Sequence, residues 1–394
     1  MKKLIEIIKR IVYNEKFILI LFGIYVITTN IEASVLGSYN SVGIANKILR
    51  YSIYIIAIIK TIYIIIENKK INLRVAITVI FFSCIAIVSK NKQLLILIII
   101  ILLIRELEFK KIVKYCFYGN IIAYVSILLG AIMGLIPNWN FSRGNEFRYA
   151  YGYSYPSITS TYFFLLLLMK FYLKSGKIEI WEIALELLIT GFIYDVTDSR
   201  MGLLMACIII GLELILKILE FKKIKFKSKV FLKQLIIILP ILVVAIIILL
   251  LVLYSKNINI AIKINKIMSD RLNLSIKAIH SYGIPLLGKD IKWYGWGGHG
   301  YIYQKDFEYN FVDIAYLKIL FDYGLLFLIL YILSYTMYMK KIVTNKERVF
   351  IIINILILIW GMIEPGMLEV SKNPFIILIL SNVFNLGKIQ NRES

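Results

Sequence analysis

Three stretches of the 394-residue chain hold side chains suited to gripping a phosphate. The first, 137–155, reads PNWNFSRGNEFRYAYGYSY and carries Arg143, Glu146 and Arg148 among several tyrosines. The second is the group Asp195, Asp198, Ser199 and Arg200. The third is the loop 255–312, with Arg271, His280, Gly288, Lys289, His299 and Tyr309, closed by Asp313. Arginine offers a planar fork that matches phosphate oxygens and stays charged in any setting. Tyr151, Tyr153, Trp293 and Trp296 add rings that stack and hydrogen-bond at an interface. Together these residue types fit a lipid-linked phosphate bearing a polar head group such as a sugar. Taken singly, each aromatic also suits an interfacial belt, and each arginine also suits head-group anchoring.

Other motifs carry little. Gly295, Trp296, Gly297, Gly298, His299 and Gly300 form a glycine-rich run, but no helix with a phosphate-loop lysine follows it. Cys84, Cys116 and Cys207 fall in or beside apolar runs and read as small packing residues, with no disulfide framework. No His, Asp and Glu cluster has metal-ligand spacing. Neither a metal nor another cofactor is therefore expected.

The elements that must position these residues are membrane helices. The chain is 60% hydrophobic with a mean hydropathy of +0.81, beyond what a soluble fold of this length can bury. Its apolar runs predict twelve spans, at 17–31, 51–66, 75–88, 94–104, 112–136, 156–173, 178–197, 201–219, 235–254, 313–338, 350–362 and 367–384. The expected fold is all-α: one polytopic transmembrane domain over 1–394, with 255–312 as a large extracytoplasmic loop. Within that loop, Ser269 or Asp270 caps a short helix from Arg271 to Ser281, whose Leu272, Ile276 and Ile279 share one face.

Twelve spans put both termini on one side. More than half of the 46 lysines and arginines fall on that side, among them Lys2, Lys69, Lys110, Lys174, Lys225 and Lys340. That asymmetry makes the side cytoplasmic. The net charge of +22 then reports orientation and contact with anionic lipid, not nucleic acid. Residues 1–16 are amphipathic, lie on the inner surface and show no small-residue cleavage site. Lys60 and Lys318 fall inside spans and are expected to snorkel, while Glu213 and Lys217 stand four apart and are expected to pair.

The order of motifs resembles that of the Wzy-type polysaccharide repeat-unit polymerases, members of the O-antigen ligase superfamily. The matching pieces are Arg148 followed by Gly152-Tyr153-Ser154-Tyr155-Pro156, then Asp198-Ser199-Arg200. Next come Ser269-Asp270-Arg271-Leu272 and Ile284-Pro285-Leu286-Leu287-Gly288. Last are Asp313-Ile314-Ala315-Tyr316-Leu317 and Asp322-Tyr323-Gly324. The resemblance implies a GT-C-like membrane glycosyltransferase of the bacterial plasma membrane. It would join undecaprenyl-diphosphate-linked oligosaccharide units at the outer face, beside a flippase and a chain-length regulator. Arg148 and Arg200 then correspond to the arginines that hold the donor diphosphate, with Arg271 a third. Asp313 stands where related ligases place a histidine, so it takes the base or positioning role or the mechanism differs, with His299 and His280 as alternatives. Arg143, Tyr153, His299 and Asp198 complete the expected substrate contacts.

Two other readings stay open. A flippase for the same lipid-linked sugars suits the helix count, but should show interrupted helices with polar groups at mid-membrane. An O-antigen ligase performs the same chemistry on a different acceptor.

Overall fold

A computed structural model describes residues 13–68, 73–143, 146–221, 230–295, 297 and 309–384. Residues 1–12 of the amphipathic start, Lys225 with its basic neighbours at 222–229, and His299 lie outside the described residues.

Among the described residues the chain forms α1 (Glu15–Ala33), α2 (Asn40–Asn68), α3 (Leu73–Ser89), α4 (Gln93–Ile104) and α5 (Phe109–Ile132). A hairpin of β1 (Asn140–Arg143) and β2 (Glu146–Tyr149) follows. Then come α6 (Pro156–Leu173), α7 (Ile180–Thr197), α8 (Arg200–Phe221) and α9 (Val230–Ser255). The short α10 (Asn259–Ile267) and α11 (Arg271–Tyr282) precede α12 (Ala315–Thr344), α13 (Arg348–Trp360) and α14 (Ile376–Phe384). Seven of these, α1, α2, α5, α6, α8, α9 and α12, are long and apolar enough to cross a bilayer. The apolar helices α3, α4 and α13 are shorter. α7 has the length but carries Glu182, Glu186 and Asp195.

The helices run between two ends that side-chain pairs identify. At one end Lys111 meets Glu15 at 3.0 Å, and Lys174 meets Glu182 at 2.7 Å. Lys60 reaches that same end, donating to the Leu103 carbonyl at 2.7 Å, 3.8 Å from Glu106. At the other end, called here the hairpin end, the start of α6 ties to the end of α1. Val35 N donates to Gly152 O at 2.9 Å and Ser154 N to Ala33 O at 3.1 Å. Buried amides brace the interior below: Asn30 Nδ2 donates to Asn120 Oδ1 at 2.7 Å, and Asn120 Nδ2 to Ser371 O at 2.9 Å.

Two helices are broken. α12 turns at Gly324, whose φ of 91° is open to glycine and strained for other residues. A Cβ there would lie 2.3 Å from the Leu286 carbonyl oxygen. The loop strand 285–289 fills the break, with Pro285 O and Leu286 O accepting from Leu325 N and Leu326 N. The second break is the link 361–375 between α13 and α14, where a continuous span from 367 is expected. Pro374 removes a backbone donor and disfavours helix at Asn373, so α14 starts only at Ile376.

The helix expected from Arg271 forms over Arg271–Tyr282 and stops at Gly283. Its cap differs from expectation. Asp270 is left-handed and makes no cap hydrogen bond; Asn265 of α10 instead accepts from Leu272 N at 2.9 Å. Leu272 is buried and Ile276 and Ile279 pack on the core, so this face meets protein.

Candidate functional site

Three elements converge at the hairpin end. β2 places Arg148 opposite Phe141 of β1, and the Phe141 ring meets Tyr155 edge-on with centroids 4.9 Å apart. Arg148 then lies over the Tyr155 ring, 5.6 Å from its centroid, with Nη1 3.5 Å from the phenol oxygen. Its Nε donates to the Thr197 carbonyl at 2.9 Å, at the end of α7. That carbonyl is free because the helix stops there: Asp198 takes a left-handed conformation at φ 41°.

The Asp198 carboxylate sits between two arginines. Its Oδ2 is 3.9 Å from Arg148 Nε and its Oδ1 is 3.9 Å from Arg200 Nε. Arg148 is nearly buried, whereas the Arg200 side chain is 63% exposed and leaves its fork available. Two guanidiniums around one carboxylate leave an excess of positive charge facing outward, the setting an anion seeks. Gly202 lets α8 start this close: a Cβ there would strike Ser160 Oγ of α6 at 2.3 Å.

Arg271 forms a second centre. Its Nη1 donates to Met268 O at 3.2 Å, its Nε is 3.5 Å from Asp313 Oδ2, and its Nη2 is 3.7 Å from Glu364 Oε1. The backbone holds these together, since Ala315 N donates to Gly361 O at 2.9 Å. Burial pushes the Asp313 carboxyl above the ordinary carboxylate range, opposed by Arg271 and by a hydrogen bond from Tyr309. Tyr309 is itself pushed up, first by burial and then by the Asp313 charge, with Tyr155 also within electrostatic reach. Tyr155, the ring under Arg148, thus lies within electrostatic reach of Tyr309, which bonds to Asp313.

The expected site residues thus divide. Arg148, Asp198 and Arg200 meet directly, and Arg271 meets Asp313. Arg143 pairs by backbone register with Glu146. Tyr153 is a correction. It is fully buried, stacked on Tyr162 at 5.3 Å, and its hydroxyl donates to Asn30 Oδ1 at 3.1 Å, so it packs the core. Tyr155, two residues on, is the tyrosine that faces Arg148. Lys318 does not snorkel: its Nζ pairs with Asp322 and lies 4.5 Å from the Trp293 ring centroid.

Glu364, in the short gap between the expected spans 350–362 and 367–384, and Glu369 and Lys372, inside the second, carry no expected role. Lys372 Nζ pairs with Glu369 Oε2 at 2.8 Å and lies over the Tyr162 ring at 5.8 Å. Three charges beside Pro365, Gly366 and Pro374 were the available signal, since charges are costly in hydrocarbon. Comparison of the chain with known families, curated proteins and solved structures finds no match.

Proposed function

We propose that this protein polymerises undecaprenyl-diphosphate-linked oligosaccharide repeat units at the outer face of a bacterial plasma membrane. One lipid-linked chain is the glycosyl donor and the other the acceptor. The observation that supports this most is the meeting of Arg148 and Arg200 around Asp198, beside the Arg271 centre. Diphosphate is a good leaving group, so the main task is to offset the charge that develops on it. Fixed arginines do that without reorganising. A carboxylate beside Arg271 takes the acceptor proton.

In this reading α3, α4, α7, α13 and α14 complete twelve spans, and the basic end of the bundle is cytoplasmic together with both termini. The hairpin end then faces outward, where it meets the flippase that delivers units and the regulator that sets chain length. The test is polymer length on a gel in cells lacking the native gene, complemented with wild type or Arg200→Lys at equal protein level. Short or absent polymer in the variant supports the reading; a wild-type ladder from Arg200→Lys removes Arg200 from the site.

A flippase is the second reading, and the breaks at Gly324 and 361–375 favour it, since interrupted helices mark transporter sites. The two readings separate on whether a glycosidic bond forms.

A further inference from the structure

We infer that Glu364 is the base that takes the acceptor hydroxyl's proton, in a site where Arg271 stands between Glu364 and Asp313. The inference rests on the polymerase reading and names the proton acceptor of that same site.

Geometry separates the two carboxylates. Asp313 accepts a hydrogen bond from Tyr309 and lies 3.5 Å from Arg271 Nε without a hydrogen bond to it, so the Tyr309 hydroxyl is what holds it in place. Glu364 Oε1 lies 3.7 Å from Arg271 Nη2, beyond hydrogen-bond range, and its side chain makes no hydrogen bond with the described residues. Among the described residues nothing donates to its lone pairs, which can accept a hydroxyl. The Glu364 side chain keeps 18% of its surface accessible beside α11, the approach to α12 and the link 361–375.

The titratable groups acting on Glu364 are Arg271 from α11, Asp313 from the approach to α12, and Lys372 and Glu369 from its own link, with Tyr309 also within its electrostatic reach. Burial raises Glu364 to about 7, Arg271 and Lys372 oppose this, and Asp313 and Glu369 add to it. A base with a value near the working pH combines a useful free fraction with a useful affinity for the proton.

The step balances. The acceptor oxygen bonds to the anomeric carbon of the donor sugar, and the bond from that carbon to the diphosphate oxygen breaks. The electron pair leaves on undecaprenyl diphosphate, whose charge Arg148 and Arg200 offset. The hydroxyl proton passes to a Glu364 Oε and from there to water.

The experiment uses the full chain in liposomes, with lipid-linked units extracted from cells lacking the gene, and follows glycosidic bond formation from pH 5 to 9. Wild type is expected to slow below about pH 7 as Glu364 is protonated. Glu364→Gln is expected to lose about 100-fold or more in rate, the scale of a general base, while still binding undecaprenyl diphosphate. Glu364→Asp is expected to stay active with its acid limb about half a pH unit lower, following the lower ordinary value of aspartate. This variant decides alone if Glu364→Gln fails to accumulate. An unmoved limb in Glu364→Asp, or a limb that disappears only in Asp313→Asn, overturns the assignment and leaves the polymerase reading standing. Absence of bond formation by wild type overturns both.

Discussion

Arg148 donates from Nε to the Thr197 carbonyl oxygen at 2.9 Å, bridging 49 residues of sequence. The bond joins the β-hairpin to the end of α7, and it explains how two arginines distant in sequence share one carboxylate. Arg148 holds the frame and adds its charge from within it, while Arg200, largely exposed, presents its fork to a ligand.

Arg148→Lys is therefore expected to lower thermal stability in detergent as well as polymer length. Lysine keeps the charge but lacks the Nε donor and the planar group over Tyr155. Loss of a charged, buried hydrogen bond costs roughly 1.5–3 kcal/mol. An unchanged melting temperature would mean that water replaces the bond without penalty.

Arg200→Lys is expected to leave the melting temperature alone and to cut polymer formation about ten- to a hundred-fold. That range follows from losing one charge-assisted hydrogen bond to phosphate, at about 1.4 kcal/mol per tenfold. The assay is a polymer ladder at equal protein level.

Tyr153→Phe and Tyr155→Ala are expected to part company. The first removes one buried hydrogen bond to Asn30, worth about 1 kcal/mol of stability, and leaves activity per folded molecule unchanged. The second removes the ring under Arg148 and is expected to reduce activity. Activity lost in Tyr153→Phe would return that residue to the site.

The contrast between these tyrosines shows what the sequence made legible. Apolar runs located the helices, and the Arg271 helix ended at Gly283 as its turn residues require. The charged turn between two apolar runs drew attention to Asp198 and Arg200, and in the fold Asp198 ends α7 beside Arg148 and Arg200. Tyr153 was misplaced because residues of one type, two apart, differ only in which side they face, and tertiary packing decides that. The Asn265 cap on α11 was invisible because local spacing proposed Ser269 or Asp270, whereas the partner came from α10. Glu364 and Lys372 were hidden by the apolar residues around them, which pack the link 361–375 into the bundle.

Stability is expected to fall as pH rises through the range that Glu364 titrates. Its folded value of about 7 exceeds the ordinary 4.5, so the folded state holds a proton that the unfolded state has released. The contribution is complete below about 4.5 and lost as pH climbs through about 7; at most it is about 3 kcal/mol. Thermal unfolding of wild type and Glu364→Gln between pH 4.5 and 8 checks this, and equal slopes would contradict it.

Gly324→Ala is expected to destabilise by at least about 1–3 kcal/mol, combining left-handed backbone strain with a clash against the Leu286 carbonyl. The readout is melting temperature and protein level in membranes. A variant as stable as wild type would show that the break in α12 does not depend on the loop strand 285–289.

Joining of lipid-linked sugars at this end of the bundle can be seen directly. Its most direct measurement places units extracted from cells lacking the gene in liposomes with the purified chain, and follows both chain length and movement across the bilayer. A polymerase yields a ladder of joined units that Arg200→Lys strongly reduces. Units that cross the bilayer while none are joined would contradict the polymerase reading and make the protein a transporter.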